Sequence, residues 1–217
     1  MDFSLLETIA LYAVPVVFAI TLHEAAHGYV ARLFGDSTAW MLGRVTANPL
    51  KHIDPVGTVL VPLGLLLLAK LAGGGGFLFG WAKPVPVNFG NLRNPKRDML
   101  WVAAAGPGAN LAMALLWALV YRLGDEVLAS EGLQMMARAG IMINVVLMVL
   151  NLLPILPLDG GRIAVSLLPH RLAMRYSRLE PYGFMVIILL LATGLLDNLM
   201  SPFIALALAG LQFVTGI

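Results

Sequence analysis

The chain has no cysteine. That excludes disulfides and any metal site built on thiolates, so a metal here must be held by imidazole and carboxylate. Charge is also scarce. Only 12% of the 217 residues are Asp, Glu, Lys or Arg, where a water-soluble domain carries about a quarter. A net charge of +2 is too small to suggest a nucleic-acid partner. No internal repeat and no separate polar domain can be read. The opening Met-Asp-Phe-Ser-Leu-Leu-Glu lacks the basic flank of a signal peptide, so the first apolar helix is expected to be retained.

What the chain does have is apolar length. It is 59% hydrophobic, with a mean hydropathy of +0.86. This composition predicts an α-helical polytopic membrane protein in the lipid bilayer, as one domain. Its core covers 5–165, and further membrane helices follow over 180–217. Long helices are expected over 5–33, 98–123 and 133–153, with later apolar segments at 182–196 and 202–213. The bundle would hold about five to six membrane helices. Trp40–Thr46 reads as a short strand. Ala82–Phe89 reads as an extended edge, because Pro84 and Pro86 exclude helix and central strand. Together they predict a small β-hairpin or edge element near the cytoplasmic face.

Positive charge gathers in three segments. Arg32, Arg44 and Lys51 lie in 32–56, and Lys70, Lys83, Arg93, Lys96 and Arg97 in 70–98. Arg162, Arg171, Arg175 and Arg178 lie in 162–178. By the positive-inside rule all three are cytoplasmic, and the acidic loop 124–132 is outside. The apolar stretch 57–80 must then dip into the membrane and return, which Pro62, Gly64 and Gly73-Gly-Gly-Gly76 suit. With that parity His23, His27, Gly106–Asn110 and Asp159 all fall near the cytoplasmic ends of three neighbouring helices.

The chain is organised around His23-Glu24-Ala25-Ala26-His27, inside the first helix. Residues four apart share a helix face, so both imidazoles can reach one metal ion, and the spacing suits zinc. Glu24 is placed to take a proton from water that the metal has acidified. The plainer reading is three polar residues on a buried helix. Ionisable groups inside a membrane helix are costly and mark function, which weighs against it. A catalytic zinc site needs a third protein ligand. His52, Asp54, Asp98, Asp159 and Glu180 can be considered. Asp159 is favoured, since Pro154 and Pro157 turn the chain before it and Gly160-Gly161 permits close backbone approach. A helix-capping aspartate is its alternative.

These motifs together resemble the site-2 proteases, intramembrane zinc metalloproteases, in their short form. The resemblance rests on HExxH at 23–27, Ala105-Gly-Pro-Gly-Ala-Asn110, and Asn151-x-x-Pro154 followed by Asp159-Gly160, in that order. Asn48–Pro55 and Gly80–Asn88 add to it, and it covers roughly 10–165. Gly108 and Ala109 depart from the bulkier apolar residue and serine more usual there. The resemblance implies His23, His27 and Asp159 as zinc ligands and Glu24 as base. The expected activity is hydrolysis of peptide bonds within transmembrane segments of membrane-protein substrates, as in regulated intramembrane proteolysis.

Other polar residues in apolar surroundings have two readings each. Asn110 can contact the substrate or the oxyanion, or bond between helices. Asn151, for which the interhelical bond is favoured, and His52 are further candidate substrate contacts. Val85 and Val87 lie on one face of the edge segment and can pair with an extended substrate by strand addition. A zinc-binding membrane scaffold without proteolysis is the rival reading. An intact Glu24 argues against it, because holding zinc does not require that residue.

Overall fold

The structure is a computed structural model, and it describes residues 5–61, 64 and 83–216. Helix α1 spans Leu5–Leu33, the bounds its apolar run predicts. It ends where Gly35 takes φ +110°, a conformation that costs glycine little. Asp36, fully buried, then gathers the chain. Its carboxylate accepts the Thr38 amide (3.0 Å) and hydroxyl (2.5 Å), the Asn88 amide (2.7 Å) and the Asn91 side chain (3.1 Å). The Arg93 amide donates to the Phe34 carbonyl at 3.0 Å. The segment 83–93 is thereby tied along the end of α1.

The expected strand at Trp40–Thr46 does not form. Thr38–Met41 is a single helical turn, and Gly43 at φ +64° turns the chain after it. Arg32 lies over the Trp40 ring, 3.5 Å from its centroid. That stacking holds the tryptophan against the end of α1 instead of along a strand. Lys83–Asn88 is extended but pairs in no ladder, and there is no strand among the described residues. Most of the stretch 57–80, expected to be re-entrant, lies outside the described residues.

Helix α2, Pro95–Arg122, opens with proline in its first turn, and the Asp98 carboxylate accepts the Asn94 amide at 2.6 Å. Helix α3, Glu131–Leu152, starts at Ser130, whose hydroxyl accepts the Leu133 amide at 3.4 Å. Short helices α4, Asp159–Leu167, and α5, His170–Ser177, follow. Then come α6, Glu180–Ala192, and α7, Leu195–Thr215.

Three helical stretches among the described residues are long and apolar enough to cross a membrane: Pro95–Val127, Glu131–Leu152 and Leu195–Thr215. The segment expected at 182–196 differs. Its 13-residue helix is about 20 Å long, short of a hydrocarbon core of about 30 Å. Gly194 at φ +69° breaks it. The next helix begins at Leu195, seven residues before Pro202, where apolar character suggested a start. Pro202 sits inside that helix.

Helix α2 is the centre of the packing. It runs against α1 and α3, which also touch each other, and α4 leans on it. One core cluster joins Ala114, Val145, Val149 and Leu153 to Leu196, Met200 and Leu211 of α7. A second joins Ala31 of α1 to Leu92, Met99 and Val102. Outside the bundle, Leu116, Leu119, Leu206 and Phe213 stay exposed. Apolar surface of this kind is a liability in water and ordinary in lipid.

Candidate metal centre

One turn of helix separates His23 from His27, so both rings leave the same face of α1. Their Nε2 atoms lie 3.1 Å apart. Asp159 Oδ2 lies 3.3 Å from each. The carboxylate arrives from the first turn of α4. Gly160 and Gly161 let that turn close, since a side chain on either would overlap backbone at Leu152, Leu153, Ile155 or Leu156. Gly106 of α2 forms the floor: a Cβ there would run into both imidazoles.

The outer ring nitrogens show what the inner ones can do. His23 Nδ1 is 2.6 Å from Asn110 Oδ1, and His27 Nδ1 is 2.7 Å from the Val102 carbonyl. Both partners accept, so each Nδ1 carries the proton and each Nε2 turns a lone pair inward. Asp159 Oδ2 is buried and has no hydrogen-bond partner among the described residues. Three acceptors therefore face one point. Zinc bonds of about 2.0–2.1 Å in a tetrahedron place ligand atoms about 3.3–3.4 Å apart, and the observed triangle has nearly that size. The residues fit zinc. Among the described residues these three form the only group of this kind.

The other candidate ligands are engaged elsewhere. Asp54 accepts the Val56 and Gly57 amides at 3.0 and 2.6 Å. Asp98 caps α2, and Glu180 lies 3.7 Å from Arg162. His52 is buried, with Nε2 3.1 Å from the Thr46 carbonyl. Asn151 bonds back to the Leu147 carbonyl of its own helix at 3.0 Å. Asn110 is fully buried and spends its amide on protein: its oxygen on His23, its nitrogen on Asn144 (3.0 Å) and the Ala19 carbonyl (3.4 Å). No free donor of Asn110 is left for an oxyanion.

The Val85 amide, read from sequence as a donor to an extended substrate, donates instead to Glu24 Oε2 at 2.7 Å. Its side chain is buried close to Gly28. Val87 packs against the cluster of Ala31 and Leu92. Neighbouring contacts fix the segment: the Lys83 amide donates to the His52 carbonyl (2.9 Å), and buried Arg44 donates to the Lys83 carbonyl (2.8 Å). Two contacts around the site were missed in the sequence, the pairing of the Val85 amide with Glu24 and that of Asn144 with Asn110. An amide donor leaves no mark in sequence. Asn144 had one faint signal, a side-chain amide in a mainly apolar helix.

Two imidazoles and a carboxylate around one point form a donor set that suits zinc, and Glu24 follows the first imidazole in the chain. Comparisons with known proteins agree. Residues 120–194, which include Asp159, match the model of peptidase family M50. Over 195 residues the chain is 40% identical to "Putative zinc metalloprotease YwhC" of Bacillus subtilis, covering 87% of this chain and 83% of that one. It is 33% identical over 188 residues to "Putative zinc metalloprotease Rip2" of Mycolicibacterium smegmatis, with 84% and 66% covered. The Mycobacterium tuberculosis protein of the same name is 31% identical over 184 residues. No solved structure matches the chain significantly. The chain belongs to peptidase family M50, the site-2 proteases, and is a zinc metalloprotease.

Proposed function

We propose that this protein is an intramembrane endopeptidase that hydrolyses peptide bonds within transmembrane segments of membrane-protein substrates. The observation that carries the reading is a base beside a three-ligand metal cradle, set among helices fit for lipid. A scaffold that only holds zinc has no use for Glu24, nor for an amide that holds Glu24 in place.

In this reading His23, His27 and Asp159 hold the zinc. When bound, zinc supplies Lewis acidity, polarising the scissile carbonyl and acidifying water. Glu24 accepts a proton from the attacking water as the new C–O bond forms. It delivers that proton to the departing nitrogen as the C–N bond breaks. The Val85 amide holds one carboxylate oxygen of Glu24 and so limits the directions from which the other can accept. Asn110 acts through His23, orienting its ring. A helical substrate hides its peptide bonds in its own hydrogen bonds, so it must unwind locally to reach Glu24.

The basic segments support an active site near the cytoplasmic side of the membrane, and the bacterial relatives support a prokaryotic plasma membrane. Arg171, Arg175 and Arg178 are all exposed, on or just beyond α5.

The test is reconstitution of the purified protein in lipid vesicles with a single-span substrate, with the products mapped by mass spectrometry. Cuts inside the apolar span, lost on chelation and regained with zinc, are the expected result. Cuts confined to the water-exposed flanks would overturn the intramembrane reading and leave a surface metalloprotease.

A further inference from the structure

His23 and His27 are oriented by partners of different kinds. His27 Nδ1 meets the Val102 backbone carbonyl, which can only accept. His23 Nδ1 meets the side-chain amide of Asn110, which could present either oxygen or nitrogen. If the amide turned over, its NH2 would face His23 Nδ1. The proton would then move to Nε2, and the ring could not ligate a metal inward. The Ala19 carbonyl accepts from Asn110 Nδ2 only at a long 3.4 Å, so a closer partner must carry most of the hold on the sense of the amide.

Asn144 of α3 does this through its own bonds. Its Oδ1 accepts from Asn110 Nδ2 at 3.0 Å, and its Nδ2 donates to the Gly140 carbonyl at 2.8 Å. The Gly140 carbonyl cannot donate, so the Asn144 nitrogen must face it. The Asn144 oxygen must therefore face Asn110, the Asn110 nitrogen must face Asn144, and the Asn110 oxygen must face His23. Turning either amide over would set donor against donor and acceptor against acceptor. Both side chains are fully buried, so water is not at hand to repair the mismatch. The anchor itself is packed in place, because a Cβ at Gly140 would enter the Trp117 ring.

We infer that Asn144 is a positioning residue for the metal site: it fixes the sense of the Asn110 amide and thereby keeps the His23 proton on Nδ1 and the Nε2 lone pair toward the metal. This rests on the proposed ligand set but concerns a residue that touches none of the ligands. The sense of the chain runs from the Gly140 carbonyl through two amides to one imidazole. His27, on a backbone carbonyl, is independent of it.

Histidine-selective 15N spectra of the metal-stripped full-length protein at mildly alkaline pH test the inference. The chain has only four histidines, so single His→Gln variants assign the signals. In the wild type His23 should be protonated at Nδ1; a bare Nδ1 there would overturn the inference without any variant. Asn144→Leu should give His23 a substantial fraction with bare Nδ1 and leave His27 unchanged. Its zinc affinity, by chelator competition, should fall about tenfold or more. Asn144→Asp keeps an acceptor toward Asn110 and should restore the wild-type His23 signal. An unchanged His23 signal in folded Asn144→Leu, or equal disturbance of both histidines, would mean that Asn144 is only a packing residue. Loss of zinc binding in the wild type itself would instead defeat the ligand set, and so separates the two claims.

Discussion

The backbone N–H of Val85 donates to Glu24 Oε2 at 2.7 Å, across 61 residues of sequence. A carboxylate on α1 is thus held by a chain segment that is also held just beyond the end of α1, where Asp36 accepts the Asn88 amide. Base and segment position one another. Any change in the lie of 83–88 moves Glu24 and, in the proposed mechanism, the path of the proton.

Removing that amide should act on chemistry more than on binding. Val85→Pro deletes the donor without adding charge, in a segment that already holds Pro84 and Pro86. A hydrogen bond to a charged group contributes about 1.5–3 kcal/mol, so kcat should fall roughly ten- to a hundredfold with zinc content unchanged. Steady-state kinetics on a membrane substrate check this. A raised KM at unchanged kcat would show that the segment serves substrate pairing instead.

Asp36 makes a pH prediction. Burial alone would push its carboxyl up, but hydrogen bonds from Thr38, Asn88 and Asn91 outweigh this and leave it below the ordinary 3.8. The native state therefore takes up this proton less readily than the unfolded chain. Its stabilisation is full above about pH 3.8 and is lost as pH falls through the lower native value. Asp36→Asn should cost about 2–3 kcal/mol at neutral pH, and the gap to wild type should narrow in acid. Thermal unfolding in detergent at pH 7 and pH 3 gives the comparison. A gap independent of pH would remove the ionised Asp36 from the account.

Asp159→Ala leaves two imidazoles where three donors met. Purified variant protein should lose most of its zinc and all measurable cleavage while keeping its helical circular dichroism. Metal analysis decides: a folded variant with full zinc would take Asp159 out of the ligand set.

The topology has its own test, helped by a chain without cysteine. Cysteines introduced singly at Asp54 and Asn91 should both react with an impermeant thiol reagent from the cytoplasmic side alone. Labelling from opposite sides would mean that 57–80 crosses the membrane.

Local signals carried the sequence reading where the physics is local. The spacing of His23 and His27 alone sets them on one face, and the Pro154–Gly161 pattern marks a turn that can bring a carboxylate close. The bounds of α1 follow from a long, mainly apolar run closed by Gly35. The expected strand at Trp40–Thr46 gives way to a helical turn over Thr38–Met41 and a left-handed Gly43, which turn the chain away from an extended path. At 182–196 a continuous apolar run hid the break at Gly194. The pairing of Val85 with Glu24, and the bonds of Asn144, were not legible. Each depends on two segments meeting in space, and neither a backbone amide nor a buried asparagine announces its partner.

The central claim is that Glu24 moves the proton in a zinc-dependent cleavage. Glu24→Gln keeps the size and most contacts of the side chain but cannot accept that proton. Zinc per chain and cleavage of a transmembrane substrate should be measured on the same purified sample. The expected result is wild-type zinc with cleavage reduced by at least about a thousandfold, within the range for loss of a general base. Wild-type zinc with near-normal cleavage would contradict it.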